Sequence, residues 1–138
     1  MTREDNIAAQ ERFGAAVNSG DLDALDALVA PDAVDHDPGP GQVPGPAGYR
    51  SLFGEMRTAF PDLHVEVQHL VADDDTVAFS YEVTGTHQGE LMGHPATGRA
   101  VAFRGAQVGR FRDGLLVERW GSTDQLGMLS QLGLAGQP

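Results

Sequence analysis

The sequence predicts an α+β domain in which three helices come first and a mainly antiparallel sheet follows. Apolar residues recur at helical intervals as far as Phe60 and alternate singly from His64 onward. The sharpest turn signals, Asp73-Asp74-Asp75 and Asp113-Gly114, fall between alternating runs, where hairpins belong. A strongly curved mixed or antiparallel sheet wrapped around the helices would leave a blind cavity, expected to be a hydrophobic pocket, at its open end.

Each element has its own signal. Ala9, Phe13, Ala16 and Val17 form one helical stripe, and Asn18-Ser19-Gly20 supplies its stop. Asp21 is placed to cap a second, short helix with Leu22, Leu25, Leu28 and Val29 inward, ended by Pro31. An extended piece from Ala33 to His36 leads into DPGPGQVPGPAG, where alternating prolines and glycines disfavour helix and ladder alike. Both a lid over the pocket and a merely exposed loop fit that composition. Pro46 suits the first turn of a third helix, whose stripe is Tyr49, Leu52, Phe53, Met56 and Phe60.

His64 to Ala72 and Thr76 to Thr86 make the first hairpin, with Val77, Phe79, Tyr81 and Val83 on one face. A second hairpin runs from Val101 to Asp124 around Asp113-Gly114. On its first strand Val101, Phe103, Gln107 and Phe111 share a face, and Arg104, Arg110 and Arg112 share the other. On its second strand Glu118, Trp120, Ser122 and Asp124 share a face. Turning the only tryptophan inward makes Phe13, Tyr49, Phe53, Met56, Phe60, Phe103, Gln107 and Trp120 the walls of one pocket. It leaves Val108, Leu115 and Val117 outside, as a surface for a sheet-mediated homodimer. The last segment, DQLGMLSQLG, reads as a short terminal helix.

Composition bounds the function. At 138 residues the chain is expected to be one domain, residues 1–138. A net charge of −11 and a pI near 4.6 argue against nucleic acid or an anionic membrane as partner. The absence of cysteine excludes disulfides, thiolate metal sites and thiol catalysis. The opening MTREDNIAAQ lacks an apolar signal core, and no apolar run reaches membrane-spanning length, so a soluble, cytoplasmic protein is expected.

Several titratable residues are candidates for chemistry. Asp124, where the tryptophan-bearing strand ends, is either a general base or the N-cap of the terminal helix. His36 is either a second acid/base group at the pocket mouth or a turn residue bonded to Asp35 or Asp37. His87 and His94 flank the GELMG connection and edge the entrance. Their spacing, without a partner carboxylate, fits no familiar metal site, so no metal is expected. His64 and His69 fall on opposite faces of one strand and read as structural.

From about Ala33 to Gly133 the chain resembles the SnoaL-like polyketide cyclases of the cone-shaped, nuclear-transport-factor-like superfamily. VDHDP (35–38 with the preceding valine), FPDL (60–63), GTHQGE (85–90), the TGR of Thr97 to Arg99, RFRDG (110–114) and VERW with Asp124 carry the resemblance in order and spacing. It implies a cystatin-like cone around a hydrophobic pocket, often homodimeric through the sheet. It also implies cofactor-free acid/base closure of a ring by intramolecular aldol chemistry on a hydrophobic, polycyclic or aromatic small molecule. Asp124 matches the aspartate that acts as acid/base in those cyclases, with His36 or His87 assisting. Where they place a catalytic histidine, on the penultimate strand, this chain has Gln107, which bonds a carbonyl but exchanges no proton. That departure admits a carrier or sensor on the same fold, or another enzyme of the superfamily: a hydratase, isomerase or epoxide hydrolase.

Overall fold

The computed structural model describes residues 2–136. Helix α1, Arg3–Ser19, opens on a capping box. Thr2 Oγ1 accepts from the Asp5 N–H at 3.1 Å, and the Asp5 carboxylate accepts from the Thr2 N–H at 3.0 Å. The helix ends at Gly20, whose φ of 79° is the left-handed cap conformation that glycine adopts without strain. Asn6, Ala9, Gln10, Phe13, Ala16 and Val17 are its buried side.

The expected second helix is a 3₁₀ turn, Leu22–Ala27, and the Asp21 side chain makes no capping bond to it. The chain must enter the sheet at Val29, which leaves room for only a few tight turns. Strand β1, Val29–Asp35, therefore begins before Pro31 rather than after it. Proline is tolerated there because β1 is an edge strand. Helix α2, Pro46–Ala59, starts at the proline, and its stripe lies as expected, with Tyr49 and Phe60 buried and Phe53 and Met56 packed on the core. Phe60 is wholly inaccessible, so truncation to alanine would cost about 3–5 kcal/mol.

Strands β2, His64–Ala72, and β3, Thr76–Thr86, keep the predicted bounds. Their turn is tied by Asp73 Oδ1, which accepts from the Asp75 N–H and from the N–H and hydroxyl of Thr76. These bonds hold the Asp73 carboxyl well below the usual carboxylate range. Strands β4, Ala100–Arg112, and β5, Leu115–Thr123, meet at Asp113 and Gly114, both at positive φ (53° and 79°), the pair a tight hairpin demands. Helix α3, Gln125–Gln131, follows β5.

The five strands form one open, mixed sheet in the order β1-β5-β4-β3-β2, parallel only between β1 and β5. Val77, Phe79, Tyr81 and Val83 of β3 and Val101, Phe103 and Phe111 of β4 are buried on the face covered by the helices. The other face is bare. Two bulges decide which side chains reach which face. On β5 the register passes from Phe111↔Leu116 to Arg110↔Glu118, so Val117 is an extra residue. Leu116 is buried under the helices, and beyond the bulge the alternation is inverted. A second bulge, at Gln68 on β2, puts His64 and His69 opposite Thr84 and Ser80, both on the bare face rather than on opposite faces.

Candidate functional site

Beyond the bulge, Arg119, Gly121 and Thr123 face the helices, opposite Gly109, Gln107 and Gly105. Asp35 of β1 is the registered partner of Arg119. Arg119 Nη1 lies 3.2 and 3.3 Å from the two Asp35 carboxylate oxygens. The same carboxylate accepts from the Tyr49 hydroxyl at 3.1 Å, the Gln42 amide at 3.2 Å and the Asp37 N–H at 2.9 Å. Arg119 Nε donates to Gln107 Oε1 at 3.0 Å. The Asp35 and Arg119 side chains are only 6% and 16% exposed, so this ion pair is poorly screened by water.

The surroundings are aromatic. Phe13, Tyr49 and Phe53 pack edge-on or stacked with centroids 5.8 to 6.5 Å apart. Burial, and then the Asp35 charge, push the Tyr49 phenol well above the ordinary tyrosine range. Tyr49 therefore stays a donor. Gly121 lets the guanidinium lie flat on the strand, since a Cβ there would sit 2.5 Å from Arg119 Nη2. Gly105 makes the same room for the Tyr81 ring, whose hydroxyl bonds Thr123 Oγ1.

The residues singled out in the sequence are dispersed. Phe13, Phe60 and Phe103 are core, and Tyr49, Phe53, Met56 and Gln107 share the helix-covered side. Trp120 does not join them, because the Val117 bulge turns it to the bare face, opposite Val108. There it stacks on His36, centroids 4.8 Å apart and planes 9° from parallel, with the Arg110 guanidinium 5.6 Å from its ring. His36 thus lies on the bare face and not at a mouth under the helices. Its Nε2 bonds Glu118 at 2.7 Å, and Glu118 also accepts from Arg110 at 3.1 Å.

His87 does not edge an entrance. It is fully buried against Phe60, and its Nδ1 accepts the Thr97 N–H at 3.1 Å. Asp124 is exposed, and its carboxylate accepts the Gly127 N–H at 2.8 Å as the N-cap of α3. Leu115 and Val117 pack on the core, so the exposed apolar residues of the bare face are Val71, Val108 and Val34. With Trp120, Ala78, Ser80, Ala106 and Ser122, two of these valines, Val71 and Val108, line an open groove of about 670 Å³.

Asp35, Arg119 and Gln42 were not singled out in the sequence. Asp35 stood only as a local partner for His36, and Arg119 lies one residue off the stripe that a bulge-free strand would turn inward. Among the described residues no three His, Asp or Glu side chains converge on a metal position, and no helix is long and apolar enough to cross a membrane.

Comparison with known proteins places this architecture. Residues 7–132 match the SnoaL-like polyketide cyclase family. IdmH of Streptomyces antibioticus, a candidate polyketide cyclase, is 38% identical with a TM-score of 0.79, over 95% of this chain and 98% of that one. AclR of Streptomyces galilaeus, a candidate hydroxylase, is 33% identical with a TM-score of 0.82, over 95% and 97%. TsrD of Streptomyces laurentii is 28% identical with a TM-score of 0.87, over 97% and 98%. No curated protein matches. With its α+β cone and five-stranded mixed sheet, this chain belongs to the SnoaL-like polyketide cyclase family.

Proposed function

We propose that this protein closes a ring in a hydrophobic, polycyclic or aromatic small molecule by cofactor-free acid/base chemistry, at the helix-covered face with Asp35 as the base. One observation carries the assignment. Asp35 is a nearly buried carboxylate set beside an aromatic cluster and held in place by Arg119, Tyr49 and Gln42. Asp35 takes the proton next to a carbonyl, the resulting carbon attacks a second carbonyl, and the same carboxyl returns the proton to the new alkoxide. Tyr49 keeps its own proton and fixes the carboxylate's orientation.

Asp124, His36 and His87 have no part in this scheme. The first caps a helix at the rim, the second serves the opposite face, and the third is sealed behind Phe60. The bare face is where we place a homodimer contact, on Val71, Val108 and Trp120.

A binding-only role is the second reading, and it too has an observation in its favour: the Asp35 carboxylate already accepts from Arg119, Tyr49, Gln42 and the Asp37 N–H. NMR titration with a polycyclic aryl ketone tests the location. Shifts centred on Tyr49, Phe53, Gln107 and Arg119 support the proposal. Shifts confined to His36, Val108 and Trp120 would move the site to the bare face. Exchange of the ketone's α-proton into solvent then separates catalyst from carrier.

A further inference from the structure

We infer that Gln107 Nε2 and Arg119 Nη2 form a two-donor seat for one ligand oxygen that becomes negatively charged, an enolate or phenolate. The inference rests on the helix-covered face being the reactive one, and it adds the chemical class of oxygen that the face holds. Because Arg119 Nε donates to Gln107 Oε1, the amide of Gln107 presents its nitrogen away from that bond. Among the described residues neither that nitrogen nor Arg119 Nη2 has a protein partner, and neither is sealed from solvent. The two side chains sit on adjacent strands, with Gly121 directly opposite Gln107. At that glycine a Cβ would sit 2.5 Å from Nη2, closer than real contacts allow, so glycine is what lets the guanidinium settle there. The guanidinium therefore lies over Gly121, on the same face of the sheet as the Gln107 amide.

The charges define the ligand further. Arg119 is already balanced by Asp35, so the pair carries no net charge toward a ligand. A permanently charged group gains less there than it would from a free arginine. A carbonyl oxygen that acquires charge as its neighbouring carbon loses a proton gains most, because the donors are fixed before the charge appears. Gln107 suits this role better than a proton-exchanging residue would: it donates without competing for the proton that Asp35 must take.

Calorimetric titration tests the seat without turnover. The probes are a cyclic β-diketone, an enolate at neutral pH, and its neutral enol methyl ether of nearly the same shape. The enolate is expected to bind at least about tenfold more tightly than the ether, the scale of hydrogen bonds to a charged acceptor. Gln107→Glu, which replaces the donor with a carboxylate facing Arg119, should erase that preference. Gly121→Ala is the second variant. It displaces only the end of a flexible side chain, so the fold survives, and the preference should shrink as the guanidinium is pushed aside. Equal affinities in the wild type, no measurable enolate binding, or a preference that persists in both variants would each overturn the seat. A loss of turnover in Asp35→Asn with the enolate preference intact would instead confirm the seat and concern the base alone.

Discussion

Arg119 and Trp120 are adjacent in the chain and serve opposite faces of the sheet. The guanidinium bonds Asp35 and Gln107 under the helices, while the indole stacks on His36 at the bare face. One extra residue, Val117, sets this division. The fold places its single tryptophan outside and the nearly buried Arg119–Asp35 pair inside.

That pair carries the first prediction. Arg119→Leu removes the partner of a carboxylate whose side chain is 6% exposed and strands the charge. The unfolding free energy should fall by about 3 kcal/mol, as for other broken buried pairs. Urea denaturation measures it, and a change below about 0.5 kcal/mol would mean that Asp35 is well solvated.

Tyr49 makes an alkaline prediction. Its phenol is raised in the folded chain, so the unfolded chain releases that proton first. The associated stability is complete below pH of about 10, the unfolded value, and is lost as pH rises from there toward the folded value. Thermal melts above that pH should fall more steeply for the wild type than for Tyr49→Phe. Parallel slopes would show that the phenol is not shielded.

Asp124 separates a cap from a catalyst. Asp124→Asn should leave both stability and turnover unchanged, because asparagine caps as well as aspartate. Asp124→Ala should lose about 1 kcal/mol by removing the bond to the Gly127 N–H. A hundredfold fall in turnover in Asp124→Asn would return the chemistry to the rim.

Assembly is read from the bare face. Val71 is 68% exposed and Val108 37%, and both line the groove beside Trp120. Light scattering at high micromolar concentration should give a dimer, and Val108→Glu should give a monomer. A wild-type monomer at that concentration would refute the contact.

Much of the fold was legible because alternation and turn chemistry are local properties. The bounds of β2 and β3, the Asp113-Gly114 turn, the Pro46 start of α2 and the face shared by Val101, Phe103, Gln107 and Phe111 all follow from nearest-neighbour rules. The 3₁₀ turn before β1 departs from expectation because tertiary entry into the sheet at Val29 overrides local helix signals. The site was less legible for a different reason. A bulge changes the parity of every side chain beyond it and leaves no composition mark at Val117. A strand read without it turns Trp120 inward and Arg119 outward. Likewise, the pairing of Asp35 with Arg119 exists only because the first and last strands are parallel neighbours.

In the proposed reaction the nearly buried carboxylate of Asp35 takes a proton from carbon. The most direct measurement is exchange of the α-proton of a polycyclic aryl ketone in D₂O, followed by NMR at saturating ketone and normalised to folded protein. We expect the wild type to exchange it and Asp35→Asn to do so roughly 10²-fold or more slowly, the scale of a positioned base, while ketone affinity changes little. Exchange at the wild-type rate in Asp35→Asn would contradict the assignment.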